Sequence, residues 1–351
     1  MKNPELLSKS LYYQLADLFE ITAIYSHNNR ILFRARPYHD KDESLRQMRK
    51  RLAASGFEAN TNEDTHGLLI AVQESPSKGL PKVHIILFLA TLVTMFFSPV
   101  IWSWNLDYFK QQGRIMEQVE FTLALIAILL FHEFGHYLAG KRRGVLMSLP
   151  YFIPAPNIVG TFGAIIKSRS PFTNRRDLIE VGATGPIAGF VVSIIALSIG
   201  LYHSEIIPAN IEGGITLGDS LLIKFLAWLI IGPIPEGHDF FLAPAAFAGW
   251  VGLLVTMINL LPLGQLDGGH IIYGLIGRKQ RIISKFFVVL MMVLGFWWQG
   301  WWFFGLLIFL FGINHPPTLN DSIEISKNAR IMGWAAILIF IICFIPVPFV
   351  F

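Results

Sequence analysis

The chain has 351 residues, of which 53% are hydrophobic and only 15% charged, against roughly a quarter charged in ordinary soluble domains. That balance, with a mean hydropathy of +0.53, argues against a water-soluble globule of this length and predicts a polytopic membrane protein. The net charge of +4 does not signal nucleic acid, because the basic residues lie between apolar segments, and the single cysteine, Cys343, excludes an intrachain disulfide or a cysteine zinc knuckle.

Residues 1–19 carry Glu5 and Asp17 and no long apolar core, so they are expected to be neither a secretory signal nor a transit peptide. A short helix is predicted over 4–19. Strands are predicted over 21–26 and 31–35, flanking a His27-Asn28-Asn29 turn, with a charged amphipathic helix over 42–54 and a further strand over 67–72. Residues 1–80 thus form a small soluble α/β domain, closed by a linker at 75–79. The sequence shows no chemistry there, and the domain is expected to serve folding, regulation or partner binding.

After Lys82 apolar stretches long enough to cross the ~30 Å hydrocarbon layer follow one another. Spans are predicted near 83–104, 116–140, 179–202, 244–265, 282–298, 300–313 and 331–351. The fifth and sixth are short and rich in tryptophan (Trp297, Trp298, Trp301, Trp302), which suits a hairpin or an interfacial pair. Residues 221–231 are apolar but too short to cross, and are expected to be re-entrant or surface-lying. The predicted fold class is therefore mainly α: a polytopic transmembrane helical bundle over 81–351 with a small N-terminal α/β domain.

Orientation follows from the loops. With the first domain cytoplasmic, the inner loops hold Lys141, Arg142, Arg143, Lys167, Arg169, Arg175 and Arg176, then Arg278, Lys279, Arg281 and Lys285, then Lys327 and Arg330. The outer loops hold only Lys110, Arg114 and Lys224. That asymmetry fits the positive-inside rule.

The informative motif is His132-Glu133-Phe134-Gly135-His136, at the end of the apolar run 121–131. A spacing of four puts both imidazoles on one helix face, where they can share a zinc ion, with Glu133 beside them as a base for the metal-bound water. The bland alternative is a chance match. Each ionisable residue inside a span costs ~2.5–3.5 kcal/mol on insertion scales, and such residues usually mark function. A catalytic zinc needs a third protein ligand and an open position. Asp267, in the run Asn259 to Gly269, is the best candidate, with helix capping as its alternative role. His270 competes for the place and ranks below it. His238 and His315 are expected to be solvated surface histidines.

The pair of motifs, H-E-x-x-H and then N-x-x-P-x-x-x-L-D-G at Asn259, Pro262, Leu266, Asp267 and Gly268, resembles the signature of the site-2 protease family of intramembrane zinc metalloproteases. The stretches 160–166, 185–189 and 248–253 look like the PDZ-less members similar to plastid and cyanobacterial proteins. The resemblance covers residues 80–280 and, loosely, the N-terminal domain; neither an inserted PDZ domain nor a C-terminal CBS pair is expected. It implies one zinc ion per chain held by His132, His136 and Asp267, with Glu133 as general base and Asn259 near the substrate. It implies hydrolysis of peptide bonds in membrane-spanning protein substrates. The partners expected are such a substrate and the lipid bilayer, with no nucleic acid. The expected location is the bacterial cell (inner) membrane, as a multi-pass protein with the N-terminal domain cytoplasmic.

A helical substrate must unwind before cleavage, since each carbonyl is bonded to the amide four residues on. Residues 151–168 carry Pro154, Pro156 and Gly160, which break helices, and a strand-like run over 161–166. This segment is expected to offer a strand edge to the extended substrate, against the alternative of a plain surface loop. Gly185, Pro186 and Gly189 are expected to allow close helix packing. Three competing readings remain: a membrane metalloprotease completed by a later Glu, a non-catalytic membrane chaperone on the same scaffold, and a transporter. The intact Glu133 and ligand set, and the lack of a repeated motif between halves, weigh against them.

Overall fold

The computed structural model describes residues 4–27, 30–64, 67–74, 82–105, 107–145, 147–169, 172–208, 216–318 and 320–350. The predicted linker at 75–79 and Asn28 and Asn29 of the predicted turn lie outside them. Among the described residues the chain is mostly helical, with a small sheet near the N-terminus.

That sheet is built from two helix–strand–strand units: α1 (Pro4–Leu15), β1 (Phe19–His27) and β2 (Arg30–Pro37), then α2 (Lys41–Ala54), β3 (Phe57–Asp64) and β4 (Gly67–Glu74). Each hairpin opens on a Phe-Glu pair, Phe19-Glu20 and Phe57-Glu58. The hairpins join through their second strands, giving an antiparallel order β1-β2-β4-β3 with Ile31, Phe33 and Ala35 opposite Val72, Ile70 and Leu68. These six alternate in from the half-exposed residues between them, as the two-residue period of a one-sided sheet requires. Leu11, Leu15, Met48 and Leu52 from the helices pack with them in one apolar cluster. The Asp40 carboxylate accepts the Glu43 amide at 2.9 Å and starts α2. Arg51 forks onto Asp17 at 2.6 and 2.9 Å, and its guanidinium holds that carboxyl below its usual range.

The predicted helix over 4–19 ends at Leu15, and β3 is an addition to the sequence reading. Its sequence, FEANTNED, has few apolar residues because β3 is an edge strand, paired only with β4. Ser55 Oγ lies 2.9 Å from the Arg169 carbonyl oxygen, a tie from this unit to the helical part of the chain.

The helical part begins with α3 (Lys82–Phe96) and α4 (Ser98–Ser103), so the expected span 83–104 is broken at Phe97, ahead of Pro99. Then follow α5 (Arg114–Arg143), the hairpin β5 (Tyr151–Pro154) and β6 (Thr161–Ile165), and α6 (Arg175–Tyr202). Beyond them lie β7 (Glu205–Pro208), β8 (Thr216–Leu217), α7 (Leu221–Ile230), β9 (His238–Phe241) and α8 (Pro244–Asn259). The chain closes with α9 (Asp267–Ile276), α10 (Gln280–Leu294), α11 (Gly300–Phe311), α12 (Lys327–Cys343) and β10 (Phe349–Val350).

The main core gathers around α5, α6 and α8, with Leu125, Leu129, Leu197, Trp250, Leu253 and Met257 among its buried residues. By length and composition, α5 and α6 are the described helices able to cross a membrane. The remaining expected spans are shorter as helices: α8 ends at Asn259 because Pro262 and Gly264 turn the chain, and α12 ends at Cys343 ahead of Pro346. The fifth and sixth are two separate helices, α10 and α11. Of their tryptophans, Trp301 is buried, donating to the Pro346 carbonyl at 2.6 Å and stacking on Phe344, whereas Trp297 is exposed.

Candidate metal centre

Four elements build the centre. On α5, His132 and His136 stand one turn apart on the buried face, and Glu133 is buried with them. His136 Nδ1 lies 2.7 Å from the Val181 carbonyl of α6. A carbonyl only accepts, so Nδ1 carries the proton and Nε2 presents its lone pair. Arg143, at the end of α5, pairs with Glu180, the neighbour of Val181, and so clamps the two helices beside that contact.

The helices meet almost backbone to backbone. A Cβ added at Gly185 would overlap the imidazole of His136, and one at Gly189 would stand 3.0 Å from His132 Nδ1. A Cβ at Gly135 of α5 would stand 2.6 Å from the Thr184 carbonyl oxygen. The glycines expected to serve packing do so, and what packs on them is the pair of histidines.

The carboxylate comes from the turn between α8 and α9. Asp267 is the first residue of α9; the capping position belongs to Leu266, which makes no side-chain cap bond. Its side chain instead faces the histidines, so the capping alternative fails. Asp267 Oδ2 lies 3.3 Å from His132 Nε2 and 3.3 Å from His136 Nε2, and the two nitrogens are 3.2 Å apart. Two bonds of ~2.0–2.1 Å meeting at a tetrahedral angle place their outer atoms ~3.3–3.4 Å apart. The donor triangle therefore has the spacing of one face of a zinc tetrahedron, and these three side chains would hold the ion. Among the described residues this is the group of three His, Cys, Asp or Glu side chains able to hold a metal ion.

Two more sequence-predicted residues join the triangle. Glu133 lies within electrostatic reach of all three donors, and its Oε2 is buried without a hydrogen-bond partner. A desolvated, unpaired carboxylate oxygen beside a metal site is suited to taking a proton. Asn259, the last residue of α8, sets its Nδ2 3.3 Å from His132 Nε2.

His270 is not among the side chains whose donor atoms converge at the site. Its Nδ1 lies 2.5 Å from His315 Nε2, while His315 Nδ1 donates to the Pro316 carbonyl. His315 must therefore accept from His270. The expectation that His315 is a solvated surface histidine is corrected here: it is buried, with its ring 4.8 Å from that of Tyr273. His238, by contrast, is exposed.

His315 belongs to a strap that holds the Asp267 turn. Gly264, at a φ of 51°, donates its amide to the Ile313 carbonyl at 3.1 Å. Tyr273 of α9 donates to Asp321 at 2.7 Å, and the Asn320 amide donates to the Thr173 carbonyl just ahead of α6. From beneath, Ser284 of α10 donates to the Pro262 carbonyl at 2.6 Å. Sequence reading missed this strap because His270 and His315 are 45 residues apart, and no local spacing pairs them. Replacing His315 by alanine is expected to weaken metal binding about tenfold with helix content unchanged, measured by competition with a chelator alongside circular dichroism.

With this geometry in place, comparisons with known proteins add a family. Residues 120–297 match the model of peptidase family M50. The chain is 32% identical over 262 residues to the probable zinc metalloprotease EGY2, chloroplastic, of Oryza sativa subsp. indica, covering 72% of this chain and 47% of that protein. It is 34% identical over 196 residues to EGY2 of Arabidopsis thaliana, covering 54% and 35%, and 30% identical over 235 residues to EGY1 of the same plant, covering 64% and 42%. The chain spans about half the length, or less, of these curated relatives. No solved structure matches. The matched segment takes in half of the chain and contains His132, Glu133, His136, Asn259 and Asp267; the chain belongs to peptidase family M50.

Proposed function

We propose that this chain is an intramembrane zinc metalloprotease that hydrolyses peptide bonds in the transmembrane segments of other proteins. The observation that carries the reading is the triangle of His132, His136 and Asp267 with the unpaired Glu133 carboxylate beside it. Membership of peptidase family M50 and the metalloprotease names of the relatives support it.

The polytopic bundle is part of the proposal. Leu123, Phe131 and Leu138 on α5, Val191, Ile195 and Ile199 on α6, and Val289, Phe309 and Leu338 on later helices are all exposed. Apolar surface on this scale is what a bilayer covers. We place the protein in a bacterial cell membrane, with the N-terminal domain on the side of the Lys- and Arg-rich loops. The chloroplast location of the relatives is stated in their own names and is not carried over.

A zinc ion held here would acidify a bound water and polarise the scissile carbonyl. The chain's own residues do the rest. Glu133 takes the proton of the attacking water and delivers it to the leaving amine. Asn259 holds a backbone group of the unwound substrate beside His132. The hairpin β5–β6 presents the substrate as a strand: Phe152 pairs with Ala164 and Tyr151 with Ile165, and one edge of β6 is free among the described strands. Thr94 of α3 donates to the Gly160 carbonyl at 2.7 Å, fixing the tip.

Cleavage of a model single-span protein by the purified chain is expected to stop with a zinc chelator and return with added zinc. Cleavage that persists in metal-free protein overturns the reading. Exchanging residues 160–166 for a flexible linker is expected to lower cleavage of an intact helical substrate at least tenfold, and to spare a short extended peptide; equal loss on both would show that the hairpin only supports the fold.

A further inference from the structure

Beside the Asp267 turn, and separate from the metal donors, lies a second feature. A cavity of about 260 Å³ sits between α9, α10 and α12, lined by apolar side chains that include Ile272, Ile276, Ile283, Phe287, Trp334 and Ile337. Its inner end reaches Leu260 and Gly268, neighbours of Asn259 and Asp267. The cleft is open on one side, with Trp334 of its lining exposed, so its apolar walls are left without dispersion partners on that side. An apolar occupant fits it.

The rim indicates which one. The α9–α10 corner carries Arg278 and Lys279, and the first turn of α12 carries Lys327 and Arg330, all exposed. Among the described residues none of the four makes a salt bridge. Lys327, Arg330, Trp334 and Ile337 recur at helical spacing, so the charges stand on the same face of α12 as the cavity lining. The two basic pairs are brought together because α12 meets α9 at Gly333, where an added Cβ would lie 3.1 Å from Leu275. Arg278 and Lys279 follow the lining residue Ile276 by two and three positions, and Arg330 precedes the lining residue Trp334 by about one helical turn; exposed cations next to an apolar cleft complement an anion carrying a hydrocarbon tail. Basic residues serving orientation alone need no such cleft.

We propose that this cleft binds an anionic glycerophospholipid, with one acyl chain between α9, α10 and α12 and the head-group phosphate among Arg278, Lys279, Lys327 and Arg330. The inference rests on the membrane reading above but not on proteolysis. The bound chain lies against the turn that carries Asp267 and fills the space behind it.

The test uses the full chain in neutral detergent micelles and nitroxide-labelled phosphatidylglycerol or phosphatidylcholine, followed by electron paramagnetic resonance. Saturable binding with a preference for phosphatidylglycerol is expected. Lys279→Gln and Arg330→Gln should each weaken that lipid about fivefold with little effect on phosphatidylcholine, and Ile283→Trp, which fills the cleft, should abolish saturable binding of both. Equal affinity for the two lipids, full competition by soluble glycerol phosphate, or binding indifferent to all three substitutions would overturn the proposal. So would an Ile283→Trp variant that still binds lipid but no longer binds the helical substrate, since the cleft would then belong to the substrate. Alkaline extraction of native membranes reads membrane integration separately, so loss of lipid binding and loss of the membrane reading give different results.

Discussion

Replacing Glu133 by glutamine is expected to lower cleavage by about 10²–10⁴-fold while zinc content stays at one ion per chain. The two outcomes separate because Glu133 is not among the donors that form the triangle. Its Oε2 is buried with no hydrogen-bond partner, a state that costs stability and suits a proton acceptor. Glutamine keeps the shape and removes the acceptor's charge. Glu133→Ala should likewise keep the metal and lose cleavage, since it removes the proton acceptor and leaves the three donors in place. Asp267→Asn should lower both, because it removes the one anionic donor from the triangle. Undiminished cleavage by Glu133→Gln would remove the assigned base.

Gly185→Val is expected to abolish metal binding and cleavage together, although Gly185 touches no substrate and donates nothing. Even a Cβ at this position would overlap the His136 ring. The helix cannot relieve the clash by retreating, because Val181 on the same helix holds His136 Nδ1 at 2.7 Å and Glu180 is tied to Arg143. Overpacking of this kind costs about 1–3 kcal/mol, and a displaced ligand that loses its supporting carbonyl costs a further 10–100-fold in metal affinity. Gly185→Ala should give a smaller loss in the same direction. Zinc content by elemental analysis and folding by circular dichroism distinguish loss of the site from loss of the fold. A Gly185→Val protein that binds zinc normally would show that α5 and α6 are not packed as described.

Most of the centre was legible in the sequence because its chemistry is local. His132, Glu133 and His136 fall within one helical turn and are read from spacing alone, whereas Asn259, 127 residues from His132, and Asp267 are joined to them only through the resemblance of the two motifs to the site-2 protease signature. What holds them was not legible. The Val181 carbonyl is a backbone atom with no sequence signature, and His315 reaches His270 across 45 residues through a loop that reads as solvated. The fold shows the same division. Long periodic or apolar runs such as α5 and α6 were placed within a few residues, whereas β3 was missed because an edge strand with a polar sequence looks like a loop. The break at Phe97 and the early ends of α8 and α12 were passed over because hydropathy continues through proline-containing turns that backbone geometry does not.

X-ray absorption at the zinc edge of the purified chain reads whether two imidazoles and the Asp267 carboxylate share one ion. Two imidazole nitrogens and oxygen donors at ~2.0–2.1 Å are expected, with the oxygen contribution altered in Asp267→Ala. A spectrum lacking imidazole, or one identical in native and Asp267→Ala protein at equal zinc content, would contradict that shared ligation.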